Sequence, residues 1–311
     1  MIMRKICLLF IILISITKVY GQHYNDHFDY KKSALSAVVV ESQTVDSLTQ
    51  FEKVVLDGFK SKIPFYHFLN KRNTEKAYVI LMHGLGGNKN YWVNPSMPYL
   101  QYTKNLTAIK DSLLQLGFNL IIIDAKFHGE RSYELNFRDP SLLPPMRSKN
   151  KGDTESFYNM YVSSIKEIRL IMDYFDQRIQ DPNLKFNLIG YSMGGAFALI
   201  LNNIEDRINS VVACVPPMSR PFSEVEELNW SNELAEKMKA ISPLYAAKDQ
   251  KSPVALLMGK TDFFIPEQEA RAFYNEISID DKELKFYDSG HELPDAYIED
   301  VINWISLHNK K

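Results

Sequence analysis

Only two cysteines occur in the 311 residues, Cys7 and Cys214. Cys7 falls inside an apolar N-terminal run, and a single remaining thiol cannot close an internal bridge, so stability has to come from a core. Charge of one sign is also missing: 36 Lys and Arg face 38 Asp and Glu, the net charge is −2, and no run of five or more like charges occurs. A nucleic-acid partner would demand a basic face, and none is written here. No internal repeat and no Gly/Ser-rich or Pro-rich linker divides the chain, which points to one large unit. No cluster of His, Cys and carboxylate residues has metal-ligand spacing, so neither a metal nor a cofactor is implied.

What is present begins with a leader. "MIMRKICLLFIILISITKVYGQ" places Arg4 and Lys5 before an apolar stretch over residues 6–16, then turns polar and small. That order describes a secretory signal peptide, expected over residues 1–21 with cleavage after Gly21. The stretch falls short of the roughly 18 residues of a spanning helix, so no stable membrane span is expected after cleavage. Cys7 has no small residue just before it, unlike a lipid-attachment cysteine. An exported chain without disulfides suits a bacterial periplasm or exterior, where "NLT" at Asn105 and "NWS" at Asn229 carry no message.

With 45% hydrophobic and 24% charged residues, the remainder has globular composition. Residues 22–50 carry few signals and read as a helical or irregular lead-in; the main domain is expected over 51–311. "FEKVVLDGF" and "IPFYHFLNK" are short β-rich runs forming an antiparallel pair. "AYVILMHG", "FNLIIIDA", "KFNLIG", "INSVVACV", "SPVALLMG" and "ELKFYD" read as strands, the first three as continuous apolar runs buried on both faces. Helical spacing separates them in "YTKNLTAIKDSLLQLG", in "ESFYNMYVSSIKEIRLIMDYFDQR" (capped by Asp153 or Thr154), after "GG" at 194–195, and in "DAYIEDVINWISLHN". Alternation after an antiparallel start predicts an α/β fold, a mostly parallel central sheet with helices on both faces. Residues 216–250 are too long for a simple connection and predict a small helical lid.

Within that frame, Gly190-Tyr191-Ser192-Met193-Gly194 matches G-x-S-x-G, with the strand before it and the helix after it that such an elbow requires. With 13 glycines in the chain, about 0.04 chance matches are expected, so the pentapeptide gains its force from this context. Serine needs a base, and the base needs an acid to fix its tautomer. The chain order Ser, acid, His puts Asp262 in "KTDFFIP" after one later strand and His291 in "SGHELPD" after the next. The other histidine beyond Ser192, His308, lies in the closing helix near a frayed end, which leaves His291 as the base. Oxyanion donors are expected at the Met193 N–H and in the "HGLGG" turn, at Leu85 ahead of Gly86, with His83 packed beneath. Tyr91, Trp92, Tyr99, Tyr102 and Trp230 fall in variable segments and could grip an acyl or sugar group.

"HGLGG", "GYSMGG", "GKTD" and "SGHE", in that order, resemble the α/β-hydrolase superfamily over roughly residues 50–308. "IIIDAKFHGER" over 121–131 is similar to a stretch of bacterial esterases near the prolyl-oligopeptidase and dienelactone-hydrolase-like branch. The resemblance implies that this stretch shapes the site, with Asp124 and His128 bracing a loop and Arg131 either reaching substrate or pairing with a carboxylate. Together with the leader, which alone carries export, it implies an exported serine hydrolase of carboxylic esters, acting through an acyl-enzyme on a small-molecule or saccharide ester. A prolyl-oligopeptidase-like peptidase, a thioesterase and a non-catalytic binding module on the same fold are the alternatives. The chain lacks room for the propeller such peptidases carry, and binding modules commonly lose a triad member.

Overall fold

The computed structural model describes residues 25–32, 34–72, 77–97, 100–218 and 231–309. The expected signal peptide, Tyr99, Asn229 and Trp230 lie outside them, as does part of the expected lid, residues 219–230.

Nine strands form one sheet: β1 (Ala37–Thr44), β2 (Thr49–Asp57), β3 (Lys62–Asn70), β4 (Tyr78–Met82), β5 (Asn119–Ile123), β6 (Phe186–Tyr191), β7 (Ile208–Cys214), β8 (Val254–Gly259) and β9 (Lys282–Tyr287). Their order is β1-β2-β3-β5-β4-β6-β7-β8-β9. The first three pair antiparallel, β3 meets β5 antiparallel, and everything from β5 to β9 is parallel. Apolar runs without polar alternation are what strands covered on both faces require, and every residue of β4, β5, β6 and β8 is buried.

The helices are α1 (Leu100–Gln115), α2 (Lys151–Ile179), α3 (Met193–Ile204), α4 (Asn232–Ala240), α5 (Glu267–Glu276) and α6 (Ala296–His308). From β4 the chain steps one way to β5, then turns back past β4 to β6 and keeps going toward β9. With right-handed crossovers, that reversal sends α1 to one face and α2, α3 and α5 to the other. Closing the chain, α6 packs against α1. The reversal also opens a crevice at the C-terminal ends of β4 and β6, where open α/β sheets take their ligands.

Three expectations change. The lead-in is not helical or irregular throughout, because 37–44 form β1, an edge strand added antiparallel to β2. Val38, Val39 and Val40 are all exposed there, so the period-2 alternation that betrays a half-buried strand is missing. Upstream of β1, Phe28 is fully buried, and its carbonyl accepts from Arg169 Nη1 at 2.8 Å. The cap of α2 is neither Asp153 nor Thr154 but Asn150, whose side chain accepts from Gly152 N, and the helix starts earlier than its apolar pattern suggested. Third, His308 is buried rather than frayed; Nδ1 donates to Trp304 O at 2.8 Å and Nε2 meets Asp281. Within 216–250, the described residues include α4, capped by Ser231, and a following 3-10 segment, Pro243–Asp249. No described helix is long and apolar enough to cross a membrane.

An ionic cluster joins α2 to the corner between α3 and β7. Glu205 caps α3 and accepts from Arg207 at 2.8 Å and Arg169 at 3.1 Å, while Arg207 also pairs with Asp173 and Asp176. Burial alone would raise the Glu205 pKa, but the two guanidinium groups outweigh it and hold it at about 2. A carboxyl depressed in the folded state stabilises above its unfolded value, and loses that contribution as pH falls toward the folded one. Urea unfolding should therefore show stability declining between about pH 5 and pH 2, with Glu205 contributing up to about 3 kcal/mol. Glu205→Gln should be less stable at pH 7 and flatter across that acid range; an unchanged acid slope would contradict this account.

Candidate active site

β6 delivers its last residue, Tyr191, to the crevice, and the chain reverses into α3 at Ser192. Ser192 has φ 51° and ψ −115°, a conformation that costs a residue with a Cβ about 1–3 kcal/mol and is held only where surroundings over-determine it. Here Ser192 N–H donates to Cys214 O at the end of β7 (2.8 Å), and Ser192 O accepts from Ala196 N (3.1 Å). The flanking glycines are obligatory by contact: a Cβ on Gly190 would lie 2.1 Å from Gly194 O, and one on Gly194 2.5 Å from Met82 O in β4. Strand, turn and helix thus approach too closely for any side chain, which leaves the serine hydroxyl standing at the sheet end.

The later loops bring the other expected residues to it. Asp262 follows β8, and its side chain is fully buried. Its Oδ1 accepts from the N–H groups of Phe264 (2.8 Å) and Ile265 (3.3 Å), which fixes the carboxylate plane. Its Oδ2 lies 2.8 Å from Nδ1 of His291, in the loop between β9 and α6. A carboxylate can only accept, so Nδ1 donates and Nε2 is left as an acceptor. Ser192 Oγ stands 3.0 Å from that Nε2. The imidazole is partly open to the crevice, with Phe264 edge-on at 5.1 Å between ring centres.

Beside the serine, the 83–89 loop is sewn to the 124–130 loop. His83 Nδ1 donates to Gly84 O (2.7 Å), and its Nε2 accepts from Ala125 N (3.1 Å). His128 Nδ1 donates to Lys126 O (2.9 Å), so its Nε2 is the acceptor that takes Gly86 N–H at 3.1 Å. Burial, reinforced by the neighbouring His83, pushes the His128 pKa well below the usual histidine range, which keeps it neutral and accepting. Asp124 accepts from Lys89 N (2.8 Å), Lys89 Nζ (2.5 Å) and Glu130 N (3.1 Å). Gly87 N–H turns back to Gly84 O (3.0 Å). With Gly86 and Gly87 engaged, Leu85 N–H is left without an acceptor among the described residues, as is Met193 N–H in the first turn of α3. Of the two N–H groups weighed for the turn, Gly86 is bonded to His128 and Leu85 is not.

Arg131 does not reach the crevice. It is buried, with Nη1 and Nη2 on the two oxygens of Glu167 (2.6 and 3.0 Å) and Nε on Glu134 (2.8 Å). The carboxylate-pairing alternative is the one realised, and it ties the 129–135 turn to α2.

A cavity of about 670 Å³ opens over Ser192 and His291. Tyr91 and Tyr102 line it as expected, whereas Trp92 is fully buried elsewhere. Much of its wall comes from residues 139–147, which sequence reasoning passed over. "DPSLLPPMR" carries three prolines, a loop signal without periodicity, and nothing in it reveals that Pro144 and Met146 face the crevice. Phe157 and Tyr161 of α2 complete the aromatic side. Among the described residues, no group of three or more His, Cys, Asp or Glu residues could hold a metal ion.

The family model for the alpha/beta hydrolase fold matches residues 78–247. Among solved structures, acetyl xylan esterase 1 from Thermoanaerobacterium sp. JW/SL YS485 superposes with a TM-score of 0.67 at 17% identity, covering 94% of this chain and 93% of its own. Acetyl xylan esterase from Paenibacillus sp. R4 gives 0.64 at 16% identity, covering 93% of both chains. The Pyrococcus furiosus esterase Pf2001 gives 0.59 at 16% identity, covering 83% of this chain and 93% of its own. At these identities the likeness shows the fold. No curated protein matches the sequence.

The contact between Gly194 and Met82 O makes a direct prediction. Gly194→Ala should force the elbow away from β4 and lower the unfolding free energy by about 1–3 kcal/mol in urea titration. Wild-type stability in that variant would mean the turn has slack that the contact distance denies.

Proposed function

The chain belongs to the alpha/beta hydrolase fold family, and from that premise we propose that it is a serine esterase, with Ser192 as nucleophile, His291 as base and Asp262 as the acid that orients it. The observation that carries this reading is the unbroken relay from Asp262 Oδ2 to His291 Nδ1 (2.8 Å) and from His291 Nε2 to Ser192 Oγ (3.0 Å), opening on a cavity.

In the proposed reaction, His291 Nε2 takes the hydroxyl proton as Ser192 Oγ bonds to the ester carbonyl carbon. The carbonyl electron pair moves onto oxygen, which the amides of Leu85 and Met193 stabilise. When the tetrahedral adduct collapses, the bond to the alkoxy oxygen breaks and that oxygen receives the proton from His291, leaving the acyl group on Ser192. Water then enters, gives its proton to His291 and attacks the acyl carbon. The second collapse releases the acid and returns the proton to Ser192 Oγ. Asp262 stays ionised throughout and holds the imidazole in the tautomer that accepts at Nε2.

An ester substrate, rather than a peptide, is supported by the neighbours named as esterases, two of them acetyl xylan esterases. The pocket, walled by Leu85, Met193, Phe157 and Tyr161, suits a small-molecule or saccharide ester. Residues 1–21 are read as an export leader, which would place the mature enzyme in the periplasm or outside the cell.

A fluorophosphonate probe should label the folded protein at Ser192, as read by peptide mass mapping. Ser192→Ala should lose labelling and lower p-nitrophenyl acetate hydrolysis by at least about 10³-fold, and Asp262→Asn by about 10²–10⁴-fold. Turnover surviving in Ser192→Ala would overturn the reading.

A further inference from the structure

The residue before the nucleophile is Tyr191, which lines the cavity and whose hydroxyl reaches the base loop. Its hydroxyl donates to the carbonyl of His291 itself at 2.7 Å and accepts from Leu293 N–H at 3.0 Å. One phenol oxygen therefore satisfies the backbone on both sides of Glu292, and the residue is buried, at 4% exposure. Burial drives the phenol pKa far above its ordinary value, so the hydroxyl keeps the proton it donates.

Other ties of the base loop lead elsewhere. Thr261 N–H donates to Ser289 O (3.0 Å), which joins the base loop to the acid loop. Asn105 Nδ2 donates to Leu293 O (3.3 Å), which joins it to α1. Tyr191 is the tie that runs to the strand carrying the serine. Its ring packs against Tyr102 at 4.5 Å between centres, with Tyr297 farther off at 6.2 Å. Tyr102 also receives Gly84 N–H from the loop that holds the proposed oxyanion donor.

We propose that Tyr191 is a positioning residue: by clasping the His291 carbonyl and the Leu293 amide from the nucleophile's own strand, its hydroxyl sets the distance between His291 Nε2 and Ser192 Oγ. This rests on the serine-esterase reading above. Acid and base are already coupled through their loops, but base and nucleophile follow different strands, β9 and β6, three positions apart in the sheet. A proton transfer sensitive to sub-ångström distance needs a direct clamp between them, and the hydroxyl supplies one without touching substrate.

The same cluster contains its own control. Tyr297 OH is buried and has no hydrogen-bond partner among the described residues, so Tyr297→Phe removes a phenol oxygen from the same surroundings without cutting a described tie. Tyr191→Phe should lower kcat for p-nitrophenyl acetate by about 10- to 100-fold, leave KM within about twofold, and slow fluorophosphonate labelling of Ser192 by a similar factor. Tyr297→Phe should leave all three near wild type, with melting temperatures recorded for both variants. Tyr191→Phe with kcat within twofold of wild type would overturn the proposal, as would equal kcat losses in the two variants. Wild-type protein that the probe never labels would sink the serine-esterase reading and this inference together. Normal wild-type labelling with an unaffected Tyr191→Phe would sink the inference alone.

Discussion

Everything at the sheet end depends on the contact between the turn after β6 and the neighbouring strand β4. Gly194 lies so close to the Met82 carbonyl that no Cβ fits, and Gly190 lies equally close to Gly194. Those contacts press α3 onto the sheet and leave Ser192 a positive φ, which Cys214 O and the first turn of α3 hold in place. The strain is small against the burial of β4, β6 and α3, nearly every residue of which is inaccessible to solvent. A residue that would relax into a commoner conformation in isolation is kept upright because relaxing would pull a buried helix off a buried strand.

A second level of order spreads outward from that corner through polar groups rather than apolar ones. The loops at 83–89 and 124–130 reach the core through Leu85, Ala125 and Phe127, but their backbone N–H groups still need acceptors. His83, His128 and Asp124 supply them, each across the gap between loops. Beneath, Lys89 and Arg131 are buried cations, each facing two carboxylates. A buried ion pair adds little net stability over apolar packing, yet removing one partner is costly, so such pairs hold geometry more than they hold the fold together. That suits a region where the direction of single N–H groups matters. Because neutral His128 takes the Gly86 N–H, the Leu85 N–H is the one left unbonded in that turn among the described residues.

How much of this could be read from the sequence follows from range. Ser192, Asp262 and His291 were legible because each sits where an apolar strand meets a turn, and both signals are local. Their convergence was legible only through chain order, which a parallel sheet converts into neighbouring loops. Val38, Val39 and Val40 misled because an exposed edge strand has no buried face to impose alternation. Asn150 was passed over as a cap because polar residues separate it from the apolar stripe of α2. Arg131 stayed open between substrate and carboxylate because Glu167 lies 36 positions away on another element. Tyr191 gave no sign at all: it reads as the variable position of a five-residue motif, and its partners are a backbone carbonyl and amide about 100 residues downstream.

The cavity walls obey a different rule from its floor. Floor residues are fixed by strand ends and by hydrogen bonds among loops, so a change in one is felt by the others. The wall over 139–147 hangs between β5 and α2, held by local turns such as Ser141 N–H on Asp139 and Arg147 on Ser141 O. None of those bonds involves Ser192, Asp262 or His291. The cavity wall is thus shaped by a segment anchored to the core through Leu143 and to α2 through Asp153, and the proposed chemistry rests on residues whose positions the whole sheet determines. The sequence was transparent about the second and silent about the first for the same physical reason: a parallel sheet announces its strand ends in local patterns, whereas a proline-rich wall has no periodicity to read.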